Sequence, residues 1–181
     1  GAIFNTGVLT VTGSRLAGNS GEFGAGLVNL GGAGFVQRST FINNLANTSG
    51  AGSYNSEGAL IVEQCTFAGN ATGTDAGAYG GALVTDGGAL SVDRTTFAGN
   101  RAFNGGGVYL MGAAAVAIHN STLSGNRATN SGGGVYNENS LPVTLLKNTL
   151  TGNSAANSGG VQNYDTLSPT TADPVIADLK A

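Results

Sequence analysis

The sequence predicts an all-β fold, a parallel β-helix solenoid of about seven coils with three short strands in each coil. The main observation behind this prediction is a five-residue phrase that recurs six times and ends in asparagine. The Phe or Leu at its second position returns after 25, 26, 30, 26 and 27 residues, which suits one turn of a β-solenoid and is too short for two packed helices. The copies begin at Arg15, Thr40, Thr66, Thr96, Thr122 and Thr149.

An alternating apolar run precedes each phrase, and a glycine cluster with another short strand-like run follows it. Residues 60–62 are one such run, and its period of two indicates a strand. Residues 105–107 are one of the glycine clusters and suit a corner. Coils stacked roughly 4.8 Å apart pair their strands in parallel. Right-handed winding is favoured because a right-twisted strand returns to its sheet most easily that way.

Equivalent residues of successive coils should stack into columns, and two apolar columns should form the core. Burial of each such side chain contributes about 1.5–3 kcal/mol. The first column is Leu16, Phe41, Phe67, Phe97, Leu123 and Leu150, and the second is Val11, Val36, Val62, Val92, Ile118 and Leu145.

Two asparagine columns are interpreted as structural. An Asn amide can bond both to a corner's backbone and to the Asn one coil away. The predicted asparagine ladder is Asn19, Asn44, Asn70, Asn100, Asn126 and Asn153. The second column is Asn5, Asn29, Asn55, Asn137 and Asn163, interrupted by Thr85 and Leu110. The single cysteine, Cys65, shares a column of small residues with Ser14, Ser39, Thr95, Ser121 and Asn148, which predicts a buried structural thiol.

Composition excludes several classes of protein. The chain has 32 Gly among 181 residues, a formal net charge of −3 and seven basic residues, which argues against nucleic-acid binding. No apolar run approaches the roughly 20 residues of a membrane-spanning helix. We expect no cofactor and no metal, since the chain lacks a repeated Asp-containing turn. Residues 1–164 are expected to form the coils, and residues 165–181 a tail that is a candidate cap.

The repeat resembles that of the chlamydial polymorphic outer membrane proteins and of similar bacterial surface adhesins. The resemblance rests on the Phe-x-x-Asn phrases at residues 41–44, 67–70 and 97–100. These alternate with Gly-Gly-Ala-Leu at residues 80–83 and its variants at 105–108 and 132–135. It implies an exported, surface-exposed β-helix, often with an adhesive role.

A charged corner suggests an alternative function for the chain, namely a carbohydrate-active enzyme of the β-helical lyase or hydrolase type. Glu63, Asp93 and His119 hold one corner position in three successive coils. Two carboxylates one coil apart would lie roughly 5 Å from each other, near the spacing of a retaining glycosidase, with His119 as a proton carrier. A corner is convex, however, and catalytic sites are concave, so the sequence favours no catalytic residue here.

An outward column on the glycine strands is a candidate binding surface. Tyr54, Val84, Tyr109 and Tyr136 are its predicted contact residues, with Phe4 and Val28 before them. A column of threonines on another face makes ice binding a third alternative. It is the least favoured one, because the double Thr ladder of an ice-binding face is missing here except at Thr149 and Thr151.

The sequence therefore favours a non-enzymatic, extracellular or cell-surface β-helix with a structural or adhesive role. Its expected partners are other protein subunits or a cell-surface ligand such as carbohydrate. We expect the first strand, at residues 1–5, to be uncapped. We expect it to dock onto another β-rich surface or to continue a longer solenoid.

Overall fold

The computed structural model describes residues 1–139, 141–164 and 179–180. Three parallel sheets run along the solenoid. The first comprises β1 (Ile3–Asn5), β5 (Leu27–Leu30), β9 (Ser53–Ser56), β12 (Leu83–Asp86), β16 (Val108–Met111), β20 (Val135–Glu138) and β23 (Val161–Asn163). The second comprises β2 (Val8–Thr12), β6 (Ala33–Gln37), β10 (Ala59–Glu63), β13 (Ala89–Asp93), β17 (Ala115–His119) and β21 (Val143–Leu146). The third comprises β3 (Arg15–Ala17), β7 (Thr40–Ile42), β11 (Thr66–Ala68), β14 (Thr96–Ala98), β18 (Thr122–Ser124), β22 (Asn148–Thr151) and β24 (Leu179–Lys180).

The parallel solenoid with three main strands per coil is confirmed. It has about six turns rather than seven, because the seven strands of the first sheet bound six coils and the two ends are partial coils. Some coils carry a fourth strand that the sequence pattern missed. These strands form two pairs, β4 (Ser20–Phe23) with β8 (Leu45–Ser49) and β15 (Arg101–Asn104) with β19 (Arg127–Ser131). The tail proposed as a cap, including Pro169 and Pro174, falls largely on residues 165–178, outside the described residues.

Both predicted apolar columns form the core. Phe67 stacks on Phe41 with ring centroids 4.5 Å apart and on Phe97 with centroids 5.2 Å apart. The second apolar column is equally buried, since Val62 is 1% exposed and Ile118 is 0% exposed. Such stacking follows from the register, since Phe41, Phe67 and Phe97 are direct partners on neighbouring strands.

The predicted asparagine ladder is also confirmed. In each step the backbone N–H and the side-chain Nδ2 of one Asn both donate to Oδ1 of the Asn one coil further on. For Asn70 and its acceptor Asn100 both distances are 3.0 Å. The second Nδ2 proton bonds a carbonyl of the preceding coil, as Asn100 does to Phe67 at 3.0 Å. Every polar atom of these buried amides is therefore paired.

A smaller polar ladder surrounds Cys65. The hydroxyls of Ser39, Thr95 and Ser121 each donate to the carbonyl two residues earlier and accept a backbone N–H from the coil before, and the Cys65 thiol donates in the same way to the carbonyl of Glu63. Burial raises the pKa of the Cys65 thiol, while the backbone N–H of Ser39 lies against its sulfur and opposes that rise. Cys65 is thus a buried member of the corner column, as the sequence predicted.

Replacing Cys65 with serine should preserve or raise stability, although polar replacements of buried thiols usually destabilise. A serine oxygen accepts a hydrogen bond from Ser39 better than sulfur does, so the unfolding free energy should rise by up to about 1 kcal/mol. Cys65→Ala is the matched control and should lower it, since it removes the acceptor. Urea unfolding followed by circular dichroism measures both, and a Ser variant less stable than the Ala variant would contradict the ladder.

Candidate functional site

The outward column of the first sheet lies on the face away from the core, but it is not exposed along its whole length. Tyr54 and Tyr136 are half-buried, whereas Val84 is 1% and Tyr109 2% exposed. The reason is local. The Tyr79 ring, contributed by the long coil, stacks on Tyr109 with centroids 4.5 Å apart. Val84 lies beneath the corner at residue 80, where any added Cβ would fall 2.3 Å from its methyl group.

The exposed part of this surface is an open groove of about 440 Å³ over the first coils, here called the aromatic groove. Phe23 and Leu30 are 44% and 42% exposed, and Phe4 is 66% exposed. Phe23 lies on β4, and its ring centroid is 5.2 Å from that of Tyr54 on β9 at an interplanar angle of 46°. The groove is lined by Phe4, Glu22, Phe23, Val28, Leu30, Tyr54 and Ser56, together with Gly1.

Two tyrosines of the outward column are tied to carboxylates one coil further on. The Tyr54 hydroxyl donates to Oδ2 of Asp86 at 2.9 Å, and the Tyr109 hydroxyl donates to Glu138. Burial, reinforced by Asp86, raises the pKa of Tyr54 to about 12. Burial also raises the pKa of Tyr109, with Glu138 adding to it. These phenols stay neutral at physiological pH, so they fix ring orientation and do not act as bases.

The charged corner exists as predicted. Glu63, Asp93 and His119 are direct register partners on β10, β13 and β17. Asp93 accepts a hydrogen bond of 2.7 Å from the Asn120 amide and forms a 2.8 Å ion pair with Arg94. These carboxylates are therefore held by neighbouring corner side chains.

Three grooves of about 440–460 Å³ occur among the described residues, and none of these three is lined by Glu63, Asp93 or His119. Glu63 accepts from the Gln37 amide at 3.2 Å, and His119 Nε2 is hidden from solvent without a partner among the described residues. One of these grooves, of about 460 Å³, lies on the second sheet and is lined by small apolar groups such as Ala59, Ala89 and Ala115. The charged corner therefore lies outside these grooves, whereas ligand sites are usually concave.

Among the described residues, no group of three His, Cys, Asp or Glu side chains could hold a metal ion. None of them builds a helix that is long and apolar enough to cross a bilayer.

Sequence reasoning missed the contribution of the fourth strands. The repeat pattern does not single out Phe23, which lies on β4 just before the corner glycine Gly24. A third amide ladder was also missed: the Asn130 amide donates to Oδ1 of Asn104 at 2.9 Å, and Asn157 donates to Oδ1 of Asn130 at 3.2 Å. Its signal was an Asn ahead of successive glycine clusters.

Comparison with known proteins agrees with this architecture. The family model described as "Right handed beta helix region" matches residues 2–174. No curated protein and no solved structure matches the chain. With nearly its whole length matched by that model and its coils stacked in parallel, the chain belongs to the right-handed β-helix family.

Proposed function

We propose that this chain is a non-enzymatic, extracellular surface module that adheres to a partner through the aromatic groove. The observation that carries the proposal is the exposure of Phe23 and Leu30 beside the Tyr54 ring on a rigid stacked scaffold. Large apolar side chains grouped in an open groove are typical of contact surfaces, and aromatic rings dominate the energetics of such contacts. The resemblance to surface adhesin repeats agrees with this role.

The groove suits binding better than catalysis. Its nearby carboxylates are engaged, since Asp86 accepts from Tyr54 and Glu22 accepts from the Asn47 amide at 2.9 Å. Without a free acid and base facing each other across the groove, general acid–base chemistry has no carrier. The flat rings of Phe23 and Tyr54 instead match the apolar faces of a protein side chain or of a sugar ring.

The experiment compares adhesion of the native protein with that of a Phe23→Ala/Leu30→Ala variant. Protein-coated beads are applied to cultured-cell surfaces and to immobilised glycans, and bound beads are counted. We expect at least a tenfold loss of binding, because two exposed anchors of the groove are removed. Leu45→Ala is the matched control, since Leu45 is 54% exposed but lies outside the groove.

The enzymatic alternative is tested in the same assay. A Glu63→Gln/Asp93→Asn/His119→Asn variant should bind as the native protein does, and neither protein should release reducing or unsaturated ends from acidic or neutral polysaccharides. Release by the native protein that is lost in the folded triple variant would overturn the non-enzymatic proposal. Equal adhesion by the Phe23→Ala/Leu30→Ala variant would exclude the aromatic groove as the contact.

A further inference from the structure

Two arginines occupy adjoining positions on the fourth strands. Arg101 on β15 and Arg127 on β19 are direct register partners, and both side chains are exposed. Backbone bridges continue the same column to Ala71 on one side and Ser154 on the other. Like charges directly opposite each other on neighbouring strands destabilise the pairing. An anion bound between the two guanidinium groups would remove that repulsion.

No described carboxylate neutralises this pair. Within residues 1–139 and 141–164 the only salt bridge joins Arg94 to Asp93, at the corner between the second and third sheets. Asp75 lies nearby in the long coil, where the carbonyl of Thr74 accepts from the Thr129 hydroxyl at 3.3 Å, but Asp75 forms no ion pair with either arginine. Both guanidinium groups therefore face solvent with their donors available.

The surroundings of the pair carry groups that recognise sugars. An open groove of about 460 Å³ runs beside Arg127, with the hydroxyl residues Thr129 and Ser154 along it. Phe103 lies two residues after Arg101 on the same face of β15 and is half-buried. A guanidinium fork grips a carboxylate or sulfate, hydroxyls bond to sugar hydroxyls, and an aromatic ring packs on the apolar face of a pyranose.

We propose that Arg101 and Arg127 form a binding site for the anionic groups of an acidic sugar polymer, which crosses β15 and β19 and continues into the groove lined by Arg127, Thr129 and Ser154. The shared chemistry is a carboxylate or sulfate held between two guanidinium groups. A nucleic acid fits poorly, because its affinity comes from many phosphate contacts and the chain has seven basic residues in all with a net charge of −3. This site is separate from the aromatic groove and does not depend on the adhesive role proposed for it.

The test is calorimetric titration with polygalacturonate, dextran sulfate and neutral dextran at low salt. We expect binding to at least one of the two acidic polymers, none to neutral dextran, and weakening as NaCl is added. An Arg101→Gln/Arg127→Gln variant should bind at least tenfold more weakly while its thermal unfolding midpoint stays equal or rises. Asp75→Asn should bind about two- to threefold more tightly, since it removes a nearby negative charge.

Arg15→Gln is the matched control, because Arg15 is also exposed on a strand but belongs to the third sheet. It should bind as the native protein does. The proposal is overturned if neither acidic polymer binds, if Arg15→Gln weakens binding as much as the double variant, or if a single-stranded DNA oligomer of equal charge binds as tightly. Preference for polygalacturonate would assign a carboxylated sugar, and preference for dextran sulfate a sulfated one.

Discussion

Replacing Gly106 with alanine should lower the unfolding free energy by about 3–5 kcal/mol. A Cβ at this position would lie 2.5 Å from both the carbonyl carbon and the carbonyl oxygen of Arg127 and 2.6 Å from the carbonyl oxygen of Gly133. All three atoms are backbone of the next coil, so no side chain can turn aside. The coils would have to separate, which breaks the hydrogen bonds between them.

The matched control is Gly7→Ala. Gly7 has no heavy atom within 4 Å of its added Cβ. An alanine there should leave stability unchanged or raise it by up to about 1 kcal/mol, because it restricts the unfolded chain. Thermal unfolding followed by far-UV circular dichroism measures both variants. Equal melting midpoints for the two would show that neighbouring coils spread apart easily, contrary to the close contact at residue 106.

Replacing Asn100 with alanine should lower the unfolding free energy by a similar amount, about 3–5 kcal/mol. The substitution removes Oδ1, which accepts from both the backbone and the side chain of Asn70, and it removes the amide that donates to the carbonyl of Phe67. Two buried donors and one buried carbonyl are left unpaired, and each such group costs about 1–3 kcal/mol.

The control for the ladder is Asn47→Ala. Asn47 also forms an amide hydrogen bond across coils, to Glu22 at 2.9 Å, but the bond is exposed to solvent. Water replaces an exposed partner, so the loss should stay below about 0.5 kcal/mol. Chemical denaturation of both variants gives the comparison. If Asn100→Ala unfolds at the same denaturant concentration as Asn47→Ala, the buried ladder is not a source of stability.

The repeat made the three main strands and the ladder predictable, because they recur with a constant spacing. Phe67 had to face inward once its neighbours in the column were apolar, and Asn70 had to meet Asn100 once the coils were in register. The fourth strands follow no such pattern. β4 pairs with β8, and β15 with β19, only because the stacking of the main sheets brings the backbones of these strands together.

The burial of Tyr109 shows what a repeat pattern omits. The alternation correctly placed this ring on the outer side of its strand, yet the Tyr79 ring that covers it comes from the irregular long coil. The burial of Tyr109 under Tyr79 depends on one insertion and not on the repeat. The spacing of the repeated phrases therefore cannot predict it. The aromatic groove was missed for a related reason, since Phe23 belongs to a fourth strand.

The asparagine ladder has a direction as well as a sequence of contacts. From Asn19 to Asn126 one Nδ2 proton of each amide donates to the later coil, and from Asn44 to Asn153 each Oδ1 accepts from the earlier coil, so the amide–amide hydrogen bonds all run in one direction. Hydrogen bonds in such a series polarise one another. The column therefore has a net dipole along the axis of the solenoid, with its positive end toward the later coils. A coil stacked with reversed polarity would set donor against donor, so the ladder allows growth in a single orientation.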